Sequence, residues 1–178
     1  SHIDVRLGHY EEMINANQRA IAIDKEWTAS QAGVYTVYRA HNYHFPTYGA
    51  MFEGRQDLAM QAARDVTREI PLDFVRAIPD FLDGFMAVPV HVMVRFGKWE
   101  ELLSEPAPPE DLLVTTAFWH YGRTVALASL NRVPEAEREL VAERSHSVAE
   151  SPCRTWGTSP ADPRARPGCS IAWRRMSK

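Results

Sequence analysis

Apolar positions recur every three or four residues along most of the first 144 residues of the chain. In residues 10–24 one apolar stripe opposes a polar face; the stripe consists of Met13, Ala16, Ala20 and Ile23, with Ile14 and Ile21 beside it. Similar runs cover residues 58–69, 111–130 and 134–144. This spacing is typical of amphipathic helices, and no segment of the sequence shows the sustained period-two alternation of strands. The pattern therefore predicts an all-α fold.

Four short turns separate these runs and share one pattern. Each has a Gly or Asn, then one polar residue, one hydrophobic or amide residue, and an acidic residue within the next two positions. The Gly or Asn positions are Gly8, Gly54, Gly97 and Asn131. Gly and Asn tolerate the left-handed backbone conformation that ends many helices, so each turn is predicted to join two helices. The turns are 46, 43 and 34 residues apart. A helix–turn–helix unit of about 34 residues is the tetratricopeptide period, so insertions are predicted between the earlier units.

The first turn and the helix after it carry a family resemblance. Leu7-Gly-His-Tyr-Glu-Glu12, followed by Ala20 at a small position, resembles the tetratricopeptide repeat family, and so do the turns at Gly54, Gly97 and Asn131. The segments 1–8, 41–45 and 94–99 resemble a group of longer bacterial tetratricopeptide repeat proteins. The resemblance covers residues 1–144. It implies a right-handed superhelical solenoid of three to four helical hairpins, part of a longer array, that acts as a protein-interaction scaffold.

Two prolines lie inside predicted first helices, each eight residues before its turn glycine. They are Pro46 and Pro89. A proline in a helix interior costs about 3 kcal/mol or more. We therefore predict that both helices are short and begin late, capped by Asn42 in one case and by Asp83 or Gly84 in the other.

The composition fits one globular domain and a tail. Residues 1–144 carry a net charge of −7, whereas residues 145–178 carry +4, several prolines and both cysteines, Cys153 and Cys169. This shift predicts a boundary near Ser145, with a basic tail that has no regular pattern. The total charge of −3 gives no reason to expect nucleic-acid binding. Neither a membrane-spanning apolar run nor a secretion leader is visible, so a cytoplasmic protein without membrane partners is expected.

The sequence contains none of the common catalytic or cofactor motifs. It lacks a P-loop, a dinucleotide-binding glycine pattern, a His-Glu-x-x-His helix and a Gly-x-Ser-x-Gly turn. The two cysteines are 16 residues apart and lack the paired spacing of zinc sites. We therefore expect no catalysis, no cofactor and no metal ion.

Histidines on the predicted first helices form the one group of candidate binding residues. On the repeat register, four histidines and two arginines fall on the face that lines the concave groove of a tetratricopeptide array, and three aromatic residues add surface to it. The predicted ligand groove consists of His2, Arg6, His41, His44, Tyr48, Phe52, His91, Arg95 and Tyr121. Phe118 and Trp119 are instead predicted to lie in the core of the last hairpin.

Three interpretations of these residues remain open. They form a structural polar network between repeats, a peptide-binding groove, or a histidine-ligated metal site in a metal-binding or auxiliary module of a larger enzyme. We predict the second, an adaptor that binds a peptide segment of another protein. Some family members hold a peptide's terminal carboxylate with basic side chains, so the resemblance implies an acidic or C-terminal ligand. Because imidazoles titrate near pH 6.5, binding is expected to tighten between pH 7.5 and pH 6.

Self-association is also expected from the sequence. The incomplete first hairpin predicts an exposed apolar flank around Ile3, Ile14 and Ile21, and such a flank favours a homo-oligomer formed through this end of the array.

Overall fold

The computed structural model describes residues 1–27 and 35–149, and this part of the chain contains ten α-helices and no strand. The helices are α1 His2–Leu7, α2 Tyr10–Trp27, α3 Tyr35–Phe52, α4 Gln56–Glu69, α5 Leu72–Ala77, α6 Pro79–Met86, α7 Val88–Arg95, α8 Trp99–Ser104, α9 Leu113–Ser129 and α10 Val133–Ala149. The all-α prediction is confirmed. The last helix continues past the boundary predicted at Ser145, and both cysteines lie outside the described residues.

The four predicted turns all adopt the left-handed conformation. The φ angles are 77° at Gly8, 72° at Gly54, 66° at Gly97 and 58° at Asn131. After each turn residue, a backbone N–H donates to the carbonyl five residues earlier: His9 to Asp4, Arg55 to Ala50, Lys98 to Met93 and Arg132 to Leu127, at 2.8–2.9 Å. This bond satisfies a carbonyl that the end of the helix would otherwise leave unpaired. The prediction that Gly or Asn ends these helices is confirmed.

Replacing Gly54 by Ala should lower the free energy of unfolding by about 1–2 kcal/mol, because the left-handed conformation is less stable by that amount for a residue that has a Cβ. A Cβ at this position would meet no other atom within 4 Å, so no steric clash adds to the effect. Asn131→Gly is the matched control, and we expect it to be as stable as the wild type or slightly more stable. Urea unfolding measures both variants, and a fully stable Gly54→Ala variant would contradict the prediction.

Helices that follow one another pack against one another. The order of contact is α2, α3, α4, α7, α8, α9 and α10, and α5 and α6 are inserted between α4 and α7. The predicted insertion between the second and third units is therefore helical. Helix α6 also contacts α3 and α9, so the insertion packs against two of the hairpins. The core consists of three clusters, centred on Met13, Leu82 and Met93.

The buried face of α2 differs from the predicted stripe. Ile14 is buried beside Met13, whereas Ile23 is 59% exposed. Two polar residues take inward positions instead: Asn17 donates to the Met13 carbonyl at 2.8 Å, and Asp24 accepts a 3.0 Å hydrogen bond from Asn42 of α3. Packing against α3 has therefore rotated the helix relative to the hydrophobic pattern.

The apolar flank predicted for self-association is smaller than expected. Burial of Ile14 removes that residue from it, and Ile21 is only partly accessible. Ile3 and Leu7 on α1 are 71% and 63% exposed. Self-association through this end of the array stays a prediction, with Ile3 as the exposed member of the predicted flank.

The two prolines behave differently from each other. Helix α7 begins at Val88 with Pro89 in its first turn, so the short first helix predicted there is confirmed, although its N-cap is Ala87 and not Asp83 or Gly84. Helix α3 contradicts the prediction, because it begins at Tyr35 and contains Pro46 in its interior. Pro46 is buried, and α3 packs against both α2 and α4. That packing offsets the hydrogen bond that the proline removes.

Candidate functional site

Eight ring-bearing side chains follow one another across α1, α3, α6, α7 and α9. We call this set the ring row; it consists of His2, His41, His44, Phe45, Phe85, His91, Phe118 and Tyr121. The ring centroids lie 5.1 Å apart for His2–His41, 4.8 Å for His2–Phe45, 4.1 Å for His41–Phe45, 5.3 Å for His44–Phe85, 4.5 Å for His91–Phe118 and 6.3 Å for Phe118–Tyr121. These contacts form three groups, which are His2 with His41 and Phe45, His44 with Phe85, and His91 with Phe118 and Tyr121.

The structure thus brings the four predicted histidines together from three helices. His2 is exposed on α1, His41 and His44 lie on α3, and His91 lies on α7, with the last three half-buried. The side chains at 41 and 44 share a face because three residues span nearly one helical turn. The helices at this face are the ones that precede the left-handed turns, together with the inserted α6.

Two further predicted residues extend the row along α3. Tyr48 and Phe52 have ring centroids 4.6 Å apart, and Phe52 stacks on Tyr10 of α2 at 5.0 Å. They continue the stripe of His41 and Phe45 at helical spacing toward the turn at Gly54. Phe52 is 53% exposed, which leaves this end of the stripe accessible.

The two predicted arginines are exposed on helices α1 and α7. Arg6 lies one turn after His2, and Arg95 lies one turn after His91 with its Cζ atom 5.9 Å from the centroid of the Phe96 ring. Neither guanidinium forms an ion pair with any residue in the described ranges 1–27 and 35–149. Both therefore carry a positive charge that is open to a ligand.

Burial lowers the pKa of His41, His44 and His91 below its ordinary value of about 6.5. Desolvation is the main cause for all three; His2 further lowers the pKa of His41, and His41 and His91 further lower that of His44. These three side chains are therefore less cationic between pH 7.5 and pH 6 than ordinary imidazoles, and tighter binding on acidification stays a prediction. The cause is that half-buried rings that lie beside one another disfavour the charged form of each imidazole.

Acidification should destabilise the fold through these histidines. Since their pKa values are lowered only in the folded chain, the unfolded chain takes up protons first as the pH falls. Their contribution to stability is present above about pH 6.5 and is lost as the pH falls through the folded pKa values, by at most about 1.4 kcal/mol per pH unit for each histidine. We expect His44→Gln, which does not titrate, to lose less stability than the wild type between about pH 7.5 and pH 5.5 in urea titrations.

Exposed His9 provides the matched control for this measurement. His9→Gln shows what the exchange of histidine for glutamine does to stability at an exposed position outside the ring row. An identical slope for the wild type and His44→Gln would show that His44 does not contribute.

The ring nitrogens of the row's histidines have no hydrogen-bond partner among the residues that the structure describes. Those of His41, His44 and His91 nevertheless keep contact with solvent, because the buried unpaired side-chain atoms found in the described ranges are Arg39 Nε, Thr116 Oγ1 and Thr124 Oγ1. Buried polar side chains in proteins usually have partners. Unpaired but accessible imidazole nitrogens are instead able to bind something that enters the groove.

Sequence reasoning missed three members of the row. Phe45 follows His41 by one helical turn, so the helical spacing could have predicted that it shares the face of His41. Phe85 belongs to α6, a helix that was not predicted. Phe118, predicted as core, is half-buried and has its edge against His91. Trp119 does point away from the row, since its Nε1 donates to the Glu105 carbonyl at 3.1 Å.

A second polar cluster lies between α8, α9 and α10, around a cavity of about 420 Å³. Its charged side chains largely neutralise one another. Glu139 accepts from Arg123 at 3.0 Å and lies 2.7 Å from His120 Nδ1, and Arg132 pairs with Glu135 at 2.7 Å. Arg123 also donates to the Leu103 carbonyl at 2.8 Å. These contacts connect the last three helices, and we assign the cluster a structural role.

Comparison of the chain with models of known protein families, with curated proteins and with solved structures finds no match. Within residues 1–27 and 35–149, no three His, Cys, Asp or Glu side chains are grouped so that they could hold a metal ion. No helix in the same ranges is long and apolar enough to cross a membrane.

Proposed function

We propose that this chain is a tetratricopeptide-like repeat scaffold that binds a peptide segment of another protein along the ring row. The observation that carries the proposal is the row itself, in which partly accessible rings from five helices form three groups of ring contacts. The order of helix packing and the four left-handed turns support the repeat interpretation. Stacked helical hairpins create extended surfaces of this kind, which suit an extended ligand.

The chemistry of the row favours a ligand with apolar or aromatic side chains. Phe45, Phe85 and Phe118 offer ring surface for such side chains. Arg6 and Arg95 supply fixed positive charges for an acidic residue or a terminal carboxylate, and each charge-assisted hydrogen bond adds about 1.5–3 kcal/mol. The metal-binding alternative has no such support, because the described residues form no group of three metal-ligating side chains.

A display library of random peptides tests the proposal. Peptides selected on the wild-type chain should bind His44→Ala and Arg95→Ala at least about tenfold more weakly, since each substitution removes a contact worth roughly 1.5 kcal/mol or more. Because His44 makes no hydrogen bond to residues 1–27 or 35–149 and Arg95 is exposed, both variants should stay folded by circular dichroism.

His9→Ala is the matched control and should bind like the wild type, because His9 is exposed at the first turn and lies outside the ring row. If both groove variants lose stability and keep full affinity, the histidines form a structural network and the proposed function is wrong.

A further inference from the structure

Resting on the proposed function, we propose that the four imidazoles of the ring row form a ladder that hydrogen-bonds the main chain of an extended, uncharged peptide segment. The ladder consists of His2, His41, His44 and His91. It would give the scaffold a ligand class that is defined by backbone geometry and apolar side chains and does not require acidic residues.

The first argument is the hydrogen-bonding capacity of the ladder. A neutral imidazole carries one donor and one acceptor, and a peptide unit presents the complementary C=O and N–H. Within the described part of the chain no protein group occupies the ladder's ring nitrogens. His120 shows the contrasting case of a structural histidine, because its Nδ1 lies 2.7 Å from a Glu139 oxygen.

The second argument is the charge around the ladder. None of its imidazoles forms an ion pair with a carboxylate among the described residues. The charged groups that act on His41 and His44 are other members of the ladder: His2 on α1 acts on His41, and His41 on α3 and His91 on α7 act on His44. A lysine or arginine in the ligand would therefore meet no opposite charge at the ladder, and an acidic side chain would find its positive partners at Arg6 and Arg95, which are not ladder members.

The third argument is the alternation of imidazole and phenyl rings. Phe45 packs beside His41, Phe85 beside His44 and Phe118 beside His91. An extended peptide presents its main-chain groups at each residue and points alternate side chains to one face. Its backbone can therefore bind the imidazoles while its apolar side chains pack on the phenyl rings.

The ladder also fixes the direction of the pH effect. Protonation removes the imidazole acceptor and turns both nitrogens into donors, and it places charges beside one another. Affinity should therefore fall on acidification, whereas a groove that attracts ligands by cationic histidines would gain affinity.

Two defined decapeptide libraries distinguish these outcomes, with the full chain immobilised as bait. The first library is N-acetylated, C-amidated and free of charged residues; the second has free C-termini and contains Asp and Glu. We expect the capped library to yield binders at pH 7.5 whose affinity falls at least about tenfold at pH 5.5, a span that crosses the imidazole titration range.

Variants at His44 separate hydrogen bonding from packing. His44→Gln keeps a donor and an acceptor at all pH values, so it should retain affinity and reduce the loss at low pH. His44→Phe keeps a ring without nitrogens, and it should weaken capped binders by about 2- to 12-fold, the range that one net hydrogen bond supports. His9→Phe is the control and should change nothing. Nitrogen-15 spectra of the wild-type imidazoles, recorded with and without a capped binder, provide a readout that does not depend on any variant.

Each of the remaining outcomes contradicts either the ladder alone or both proposals. Binders found only in the acidic library, with affinity that rises on acidification, would overturn the ladder and leave the proposed function standing. Capped binders that leave the imidazole nitrogen shifts unchanged and bind His44→Phe fully would do the same. If neither library yields a binder, both proposals are wrong.

Discussion

Replacing Asp83 by Ala is expected to lower the free energy of unfolding by about 2–4 kcal/mol. This carboxylate lies on α6 and is 3% exposed, and it caps the start of α9 thirty-odd residues later in the chain. Its two oxygens accept hydrogen bonds from the backbone N–H of Val114 at 2.7 Å and of Thr115 at 3.0 Å. The Thr115 hydroxyl lies 2.5 Å from the same carboxylate. Alanine would remove the acceptor of both backbone N–H groups, whereas the Thr115 hydroxyl would keep the Asp83 carbonyl as its acceptor at 2.8 Å.

Urea unfolding of the full chain measures the effect, and Asp80→Ala is the matched control. Asp80 is an exposed acidic residue on the same helix, so its removal should change stability by less than about 0.5 kcal/mol. Asp83→Asn retains one acceptor oxygen and should fall between the two. Equal stability of Asp83→Ala and Asp80→Ala would mean that the bond between α6 and α9 does not contribute to the fold.

The second large effect is expected at Gly122, a buried glycine on α9. A Cβ built there would lie 2.5 Å from Val90 Cγ1 and 3.2 Å from Leu102 Cδ1, so α9 approaches α7 and α8 more closely than a side chain allows. Val90 is β-branched and has little freedom to rotate away. We expect Gly122→Ala to cost about 1–2 kcal/mol even after the gain of about 0.5–1 kcal/mol that alanine brings to a helix.

Gly84→Ala is the matched control and should change stability in the opposite direction. Gly84 lies within α6, and a Cβ there would make only an ordinary 3.8 Å contact with Val114. The helix-propensity gain of about 0.5–1 kcal/mol should therefore appear as added stability. Thermal unfolding of both variants gives the sign directly. A stabilised Gly122→Ala variant would show that the helices separate at little cost.

The parts of the fold that were predictable from the sequence are those fixed within a few residues. Gly8, Gly54, Gly97 and Asn131 end helices because of a backbone preference of the turn residue itself. The late start assigned to α3 failed because burial between two helices outweighs the local cost of Pro46. Long-range packing also determines where α6 lies, because this helix contacts α3, α4, α7 and α9.

The candidate site was likewise predictable only where local spacing determines it. Helical spacing predicted that His41 and His44 share a face, and His2 does stack on His41 with ring centroids 5.1 Å apart. Phe85 was not predicted as part of the row, because the sequence pattern did not predict helix α6, on which it lies. The sequence also suggested ordinary imidazole pKa values, since the desolvation that lowers them arises only when the helices pack.

One end of the ring row is carried by a helix with little to hold it in place. Helix α1 has no buried residue, and His2 reaches the row by lying against His41 and Phe45. Segments with few buried contacts open locally at a cost far below that of global unfolding. A ligand that touches His2 therefore also shifts the local opening equilibrium of α1, whereas a ligand confined to His44 and His91 does not. Hydrogen-exchange rates of the α1 amides would then show whether the bound segment reaches His2, even though most residues that contact the ligand lie on other helices.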